Sequence, residues 1–146
     1  MLINRQRRVP IATRPLGHFL GRVHSTLRLG KREFTVCFVS DASITRLNRT
    51  YRGQPCPTDV LSFPANGHAT RQRLRRSPSA TTFLGDIAIS PEIARRNAAC
   101  FGRTLPQELR ILILHGVLHL LGYDHETDRG QMDRLERRLR AELGLR

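Results

Sequence analysis

Cysteine is scarce in this 146-residue chain, and Cys37, Cys56 and Cys100 are odd in number and form no C-x-x-C. No disulfide framework follows from them, and they read as buried or incidental thiols in a reducing compartment. Long apolar runs are missing as well. No stretch approaches the ~20 residues of a membrane span. The opening "MLINRQRRVPIATRP" carries charge without an apolar core or a small-residue cleavage site. It is not expected to be a secretory signal, and the expected location is cytoplasmic. At this length one domain over residues 1–146 is expected. A chain of this size buries roughly 70% of its unfolded surface, so neither disulfide nor metal is needed for folding.

Acidic residues are few, 12 against 25 basic, for a net charge of +13. Lysine is nearly absent, and Lys31 is the only one. An arginine-rich proteome explains the choice of arginine over lysine, but not the two-to-one excess of positive charge. Arginine presents a planar fork that pairs bidentately with phosphate, so a polyanionic partner is expected.

Periodicity places the elements. "LINRQ" is a short strand candidate. "TRPLGHFLGRVHSTLRLG" carries Leu16, Phe19, Leu20, Val23 and Leu27 at helical spacing, with Gly30 after its end. "EFTVCFVS" alternates as a strand. "DASITRLNRTY" is a short helix that Asp41 is expected to cap. "RGQPCPTD" is a loop, "VLSFP" a brief strand ended by Pro64, and "FLGDIAIS" a stronger one. Between these two strands, residues 65–81 show no apolar periodicity and form an expected mobile loop with a basic core, "RQRLRR", at 71–76. Ser90 and Pro91 start a helix through about Cys100. Thr104 and Gln107 form a capping-box pattern ahead of "PQELRILILHGVLHLLG", which is apolar almost all round and therefore a core helix. After the loop "YDHETDRG", an amphipathic helix turns Met132, Leu135, Leu139 and Leu143 inward. The order β-α-β-α-β-β-α-α-α predicts an α+β domain, a mixed sheet of about four strands against about five helices.

Within the core helix and its exit lies "HGVLHLLGYDH", residues 115–125. His115 and His119 are four apart, so both imidazoles leave one helix face and two nitrogens ~2.0–2.1 Å from one zinc are natural. Gly122 can turn the chain back so that His125 approaches from another side. Three nitrogen ligands leave a fourth tetrahedral position open, as in catalytic zinc sites. A single histidine on an apolar helix would read as a core residue, but three of the chain's six lie within these eleven positions. Imidazoles also suit nickel and copper, so zinc rests on geometry and availability. Asp86 and Asp124 are candidates to orient a ligating ring through its second nitrogen. His18, His24 and His68 read as structural or surface residues.

The spacing matches the zinc-protease signature H-E-x-x-H-x-x-G-x-x-H except at one place, where Gly116 replaces the general-base glutamate. Water on a bound zinc ionises near pH 7 without a dedicated carboxylate. The missing glutamate and the positive charge together move the expected substrate from peptides toward phosphodiesters. Attack by water and attack by the RNA's own 2′-hydroxyl both stay open.

These residues carry a resemblance. "HGVLHLLGYDH", with "NRTYRGQPCPTDVLSFP", "LGDIAIS" and "INRQRRVPI", resembles the YbeY family of bacterial endoribonucleases over essentially the whole chain except the 65–81 loop. The resemblance implies a single-strand-specific, metal-dependent endoribonuclease acting in 16S rRNA 3′-end maturation and late ribosome quality control. It implies one zinc ion per chain on His115, His119 and His125, no other cofactor, and ribosomal particles as partners. It also singles out Arg52, in the T-Y-R segment, as a phosphate clamp beside the metal. Thr58 and Asp59 are expected to cap or brace a strand behind the site. Two other readings compete. A metalloprotease would need a base in place of Gly116 and a methionine turn, whereas Met132 lies in a helical pattern. A ribosome assembly factor would use the zinc structurally.

Overall fold

The computed structural model describes residues 1–65, 83–124 and 126–145. His68, His125 and the expected loop beyond Ala65, with its 71–76 core, lie outside the described residues. The elements follow the predicted order: β1 (Leu2–Asn4), α1 (Thr13–Thr26), β2 (Glu33–Phe38), α2 (Asp41–Arg52), β3 (Val60–Pro64), β4 (Phe83–Ile89), α3 (Pro91–Cys100), α4 (Leu105–Leu120) and α5 (Gln131–Glu142). Among the described residues, no helix is long and apolar enough to cross a membrane.

The sheet runs β1-β2-β4-β3, with β3 antiparallel to an otherwise parallel set. Period-two alternation, shifted once where the β2–β4 register slips between Glu33 and Phe34, divides it into two unequal faces. Phe34, Val36, Phe38, Leu84, Ile87 and Ile89 point into the main core, against α1 and α4. Leu61 and Ala88 point the other way and, among the described residues, meet Ile44 of α2 as their one fully buried partner, with Val39, Leu47 and Phe63 around them. The faces thus differ greatly in depth.

Local chemistry explains the helix bounds. Ser90 caps α3, its side chain accepting from the Ile93 N–H at 3.2 Å, with Pro91 in the first turn. Thr104 and Gln107 form the expected capping box of α4. Just beyond it, Arg103 donates to the buried Glu108 carboxylate at 3.0 Å. The cap of α2 is a correction. Ser40, not Asp41, accepts from the Ser43 N–H at 3.2 Å. Both residue types cap well, but the Asp41 carboxylate is taken by the Ser90 hydroxyl and by Arg96 at 3.6 Å. All three cysteines are free, Cys56 and Cys100 are exposed, and burial pushes the half-buried Cys37 thiol up.

Candidate metal centre

Helix α4 is the platform. Ten of its residues are buried, including Leu109, Ile113, Leu114, Val117 and Leu118. Each such apolar side chain contributes about 1.5–3 kcal/mol on burial, so the axis is firmly held. Its exit is equally defined. Gly122 (φ 94°) donates to His119 O at 3.0 Å and Tyr123 to Leu118 O at 3.1 Å. This is the Schellman pattern, which demands a left-handed residue where glycine is cheapest.

His115 and His119 are half-buried and meet as the spacing predicts. Their Nε2 atoms are 3.1 Å apart, with ring centroids at 4.6 Å and an interplanar angle of 79°. Two nitrogens bound to one tetrahedral zinc stand roughly 3.3 Å apart, so the pair fits a shared ion with a shift of a few tenths of an ångström. Among the described residues, no group of three side chains is gathered for a metal ion. The third expected ligand, His125, is outside them.

The carboxylate that orients His115 is neither Asp86 nor Asp124. Glu136 of α5 accepts from His115 Nδ1 at 3.0 Å. A carboxylate only accepts, so in the neutral ring Nδ1 keeps its proton and Nε2 presents its lone pair toward His119. Burial alone would raise the Glu136 carboxyl. The hydrogen bond and charge of His115, with Arg140, outweigh it and hold the group below the usual carboxylate range. Asp86 is exposed on β4. Asp124 instead accepts from the Glu126 N–H at 3.0 Å and shapes the turn. A signal for Glu136 was present: it falls between Met132 and Leu139 on the inward stripe of α5, where a lone carboxylate requires a partner.

Gly116 also changes meaning. A β-carbon there would stand 2.7 Å from Ile87 Cγ2, and Ile87 is fully buried in β4. The Gly116 carbonyl accepts from Ser62 Oγ at 3.2 Å. The position faces the sheet, so close helix–strand packing accounts for the glycine without reference to the substrate. The absent glutamate by itself therefore says nothing about peptide or phosphodiester.

Arg52 is the last residue of α2 and is exposed. Its neighbour Tyr51 meets Phe63 of β3 edge-on, ring centroids 5.0 Å apart. Phe63 and Pro64 pair with Asp86 and Gly85, and Leu120 closes over Gly85 from the other face. The end of α2 and the end of α4 thus flank the same end of edge strand β3. Asn48 fixes the turn after Arg52, donating to Cys56 O at 2.9 Å. Thr58 and Asp59 brace the opposite end of β3. The Asp59 carbonyl accepts from Ser90 N at 2.9 Å and its carboxylate from Asn97 at 3.2 Å. His24 is structural, its Nε2 lying 2.8 Å from Arg32 O.

The family described as "Endoribonuclease YbeY" matches residues 4–144. A protein of that name from Solibacter usitatus is 50% identical over 112 residues, 77% of this chain and 67% of its own length. One from Koribacter versatilis is 40% identical over 147 aligned positions, 99% of this chain and 86% of that protein. The solution structure of TM1509 from Thermotoga maritima is similar with a TM-score of 0.65 and 28% identity, covering 98% of this chain and 89% of that one.

Proposed function

This chain belongs to the YbeY endoribonuclease family, and from that premise we propose that it is a hydrolase that cuts single-stranded RNA at a zinc ion held by His115, His119 and His125. Residues 1–146 act as one catalytic domain. The observation that carries the metal assignment is the Nε2 pair at 3.1 Å, with Glu136 holding the far side of the His115 ring. When bound, zinc supplies Lewis acidity at the phosphoryl group and lowers the pKa of a coordinated water.

The chain's own residues do the rest. Glu136 keeps the proton on His115 Nδ1 and so keeps Nε2 available. Arg52 clamps a non-bridging phosphate oxygen and stabilises the charge that builds there. The net charge of +13 draws RNA to the surface. The finer assignment is 16S rRNA 3′-end maturation and late ribosome quality control, on ribosomal particles in the cytoplasm.

The test is metal analysis of the purified protein together with cleavage of single-stranded RNA by wild type and His119→Ala. About one zinc per chain and chelator-sensitive cutting are expected, with both lost in His119→Ala. A folded His119→Ala variant that restores normal rRNA ends in cells lacking the protein would show instead that the zinc is structural.

A further inference from the structure

Tyr51 is 67% exposed, yet its ring is not loose, because the T-shaped contact with Phe63 fixes it against β3. Exposed aromatic rings taken singly need no explanation. Phe101, 66% exposed, is one with a partner of its own: the Arg103 guanidinium lies 4.9 Å over its ring. Among the described residues, no guanidinium covers Tyr51.

Its neighbours point to a ligand. Arg52 follows it directly, and Arg49 lies in the same last turn of α2. The chain then reverses at Gly53, held by the bonds from Gly53 N to Arg49 O and from Asn48 to Cys56 O. A fixed aromatic ring and two arginines therefore stand together at one end of an edge strand. The histidine-bearing end of α4 stands at that same end, across β3.

We propose that Tyr51, braced by Phe63, is a stacking platform for one base of the single-stranded RNA, next to the phosphate that Arg52 holds. This rests on the RNA-cleaving reading above and adds a base contact to it. Unpaired bases offer a flat apolar face that aromatic side chains accept with little regard to sequence, whereas bases inside a duplex are already stacked. A ring held in place before binding loses little freedom when a base arrives. The platform thus gives the site a physical reason to prefer single strands.

The test is equilibrium binding of a fluorescent single-stranded oligoribonucleotide by the full chain, measured in the cold before cutting. Tyr51→Ala should weaken binding about tenfold, and Tyr51→Phe should keep it. The factor should be the same at low and high salt, because stacking releases no counterions, while the arginine contribution falls with salt. On a strand abasic at every position, wild type and Tyr51→Ala should bind alike. Equal affinity of wild type and Tyr51→Ala for the intact strand would overturn the proposal. So would the same loss on the abasic strand, which would mean that the ring serves the fold or the backbone. Wild-type protein that does not bind RNA at all overturns both this inference and the RNA-cleaving reading; binding that ignores Tyr51 overturns this inference alone.

Discussion

The two faces of the sheet are built to different depths. Behind α4 lies a core of large buried side chains from α1, β2, β4 and α5, and the two histidines stand on its outer surface. Behind α2 lies, among the described residues, a small buried cluster of Ile44, Leu61 and Ala88, and the exposed pair Tyr51 and Arg52 stands at its end. Metal ligands must hold their mutual distance within tenths of an ångström, which a deep core enforces. Residues that follow a flexible RNA strand need only a fixed base, and a thin layer with a part-buried hydrogen bond from Asn48 supplies it. On the proposed reading, the division of labour is rigid ligands on one face of β3 and substrate contacts on the other.

The sharpest way to break this contrast is at the closest contact of the deep face. Gly116→Glu should cost about 4 kcal/mol or more, through overpacking on Ile87 and a buried carboxylate. Gly116→Ala should cost about 1–3 kcal/mol. Urea denaturation reads both, and a wild-type midpoint for Gly116→Glu would remove the packing account of this glycine. On the thin face, Arg52→Ala should lower kcat/KM for RNA by about 100-fold while zinc content and thermal midpoint stay at wild-type values. A loss of zinc in that variant would merge the two faces into one unit. Glu136→Gln should weaken zinc binding about tenfold, read by chelator competition, because the amide still accepts from Nδ1–H but brings no charge. The smallest effect is expected at Asn48. Asn48→Ala should cost about 1 kcal/mol, since it loses the bond to Cys56 O but also removes an acceptor that has no partner among the described residues. Its RNA affinity should fall with no change in zinc affinity; an unchanged RNA affinity would mean that the turn after Arg52 needs no anchor.

Much of this was legible from the chain because it is local. The capping box at Thr104 and Gln107, the start of α3 at Ser90 and Pro91, and the reversal at Gly122 each close within a few residues. The His115–His119 contact follows from the helical repeat alone. The cap of α2 was harder, because Ser40 and Asp41 are adjacent and equally suited; the choice falls to Ser90, far along the chain, which engages Asp41. Glu136 lies 21 residues from the ring it orients, and only its place on a buried stripe hinted at it.

By itself the sequence determined the histidine-bearing helix: two imidazoles one turn apart, an apolar cylinder that must be buried, and a glycine that must end it. Backbone hydrogen bonds and side-chain periodicity reach only four or five residues, and these features need no more. Tertiary structure decided which carboxylate steadies His115, why position 116 has no side chain, and that Arg52 and Tyr51 reach the same end of β3 as the histidines. Each of those depends on contacts between segments 12 or more residues apart, and only packing of α4 and α2 on opposite faces of one sheet brings them together.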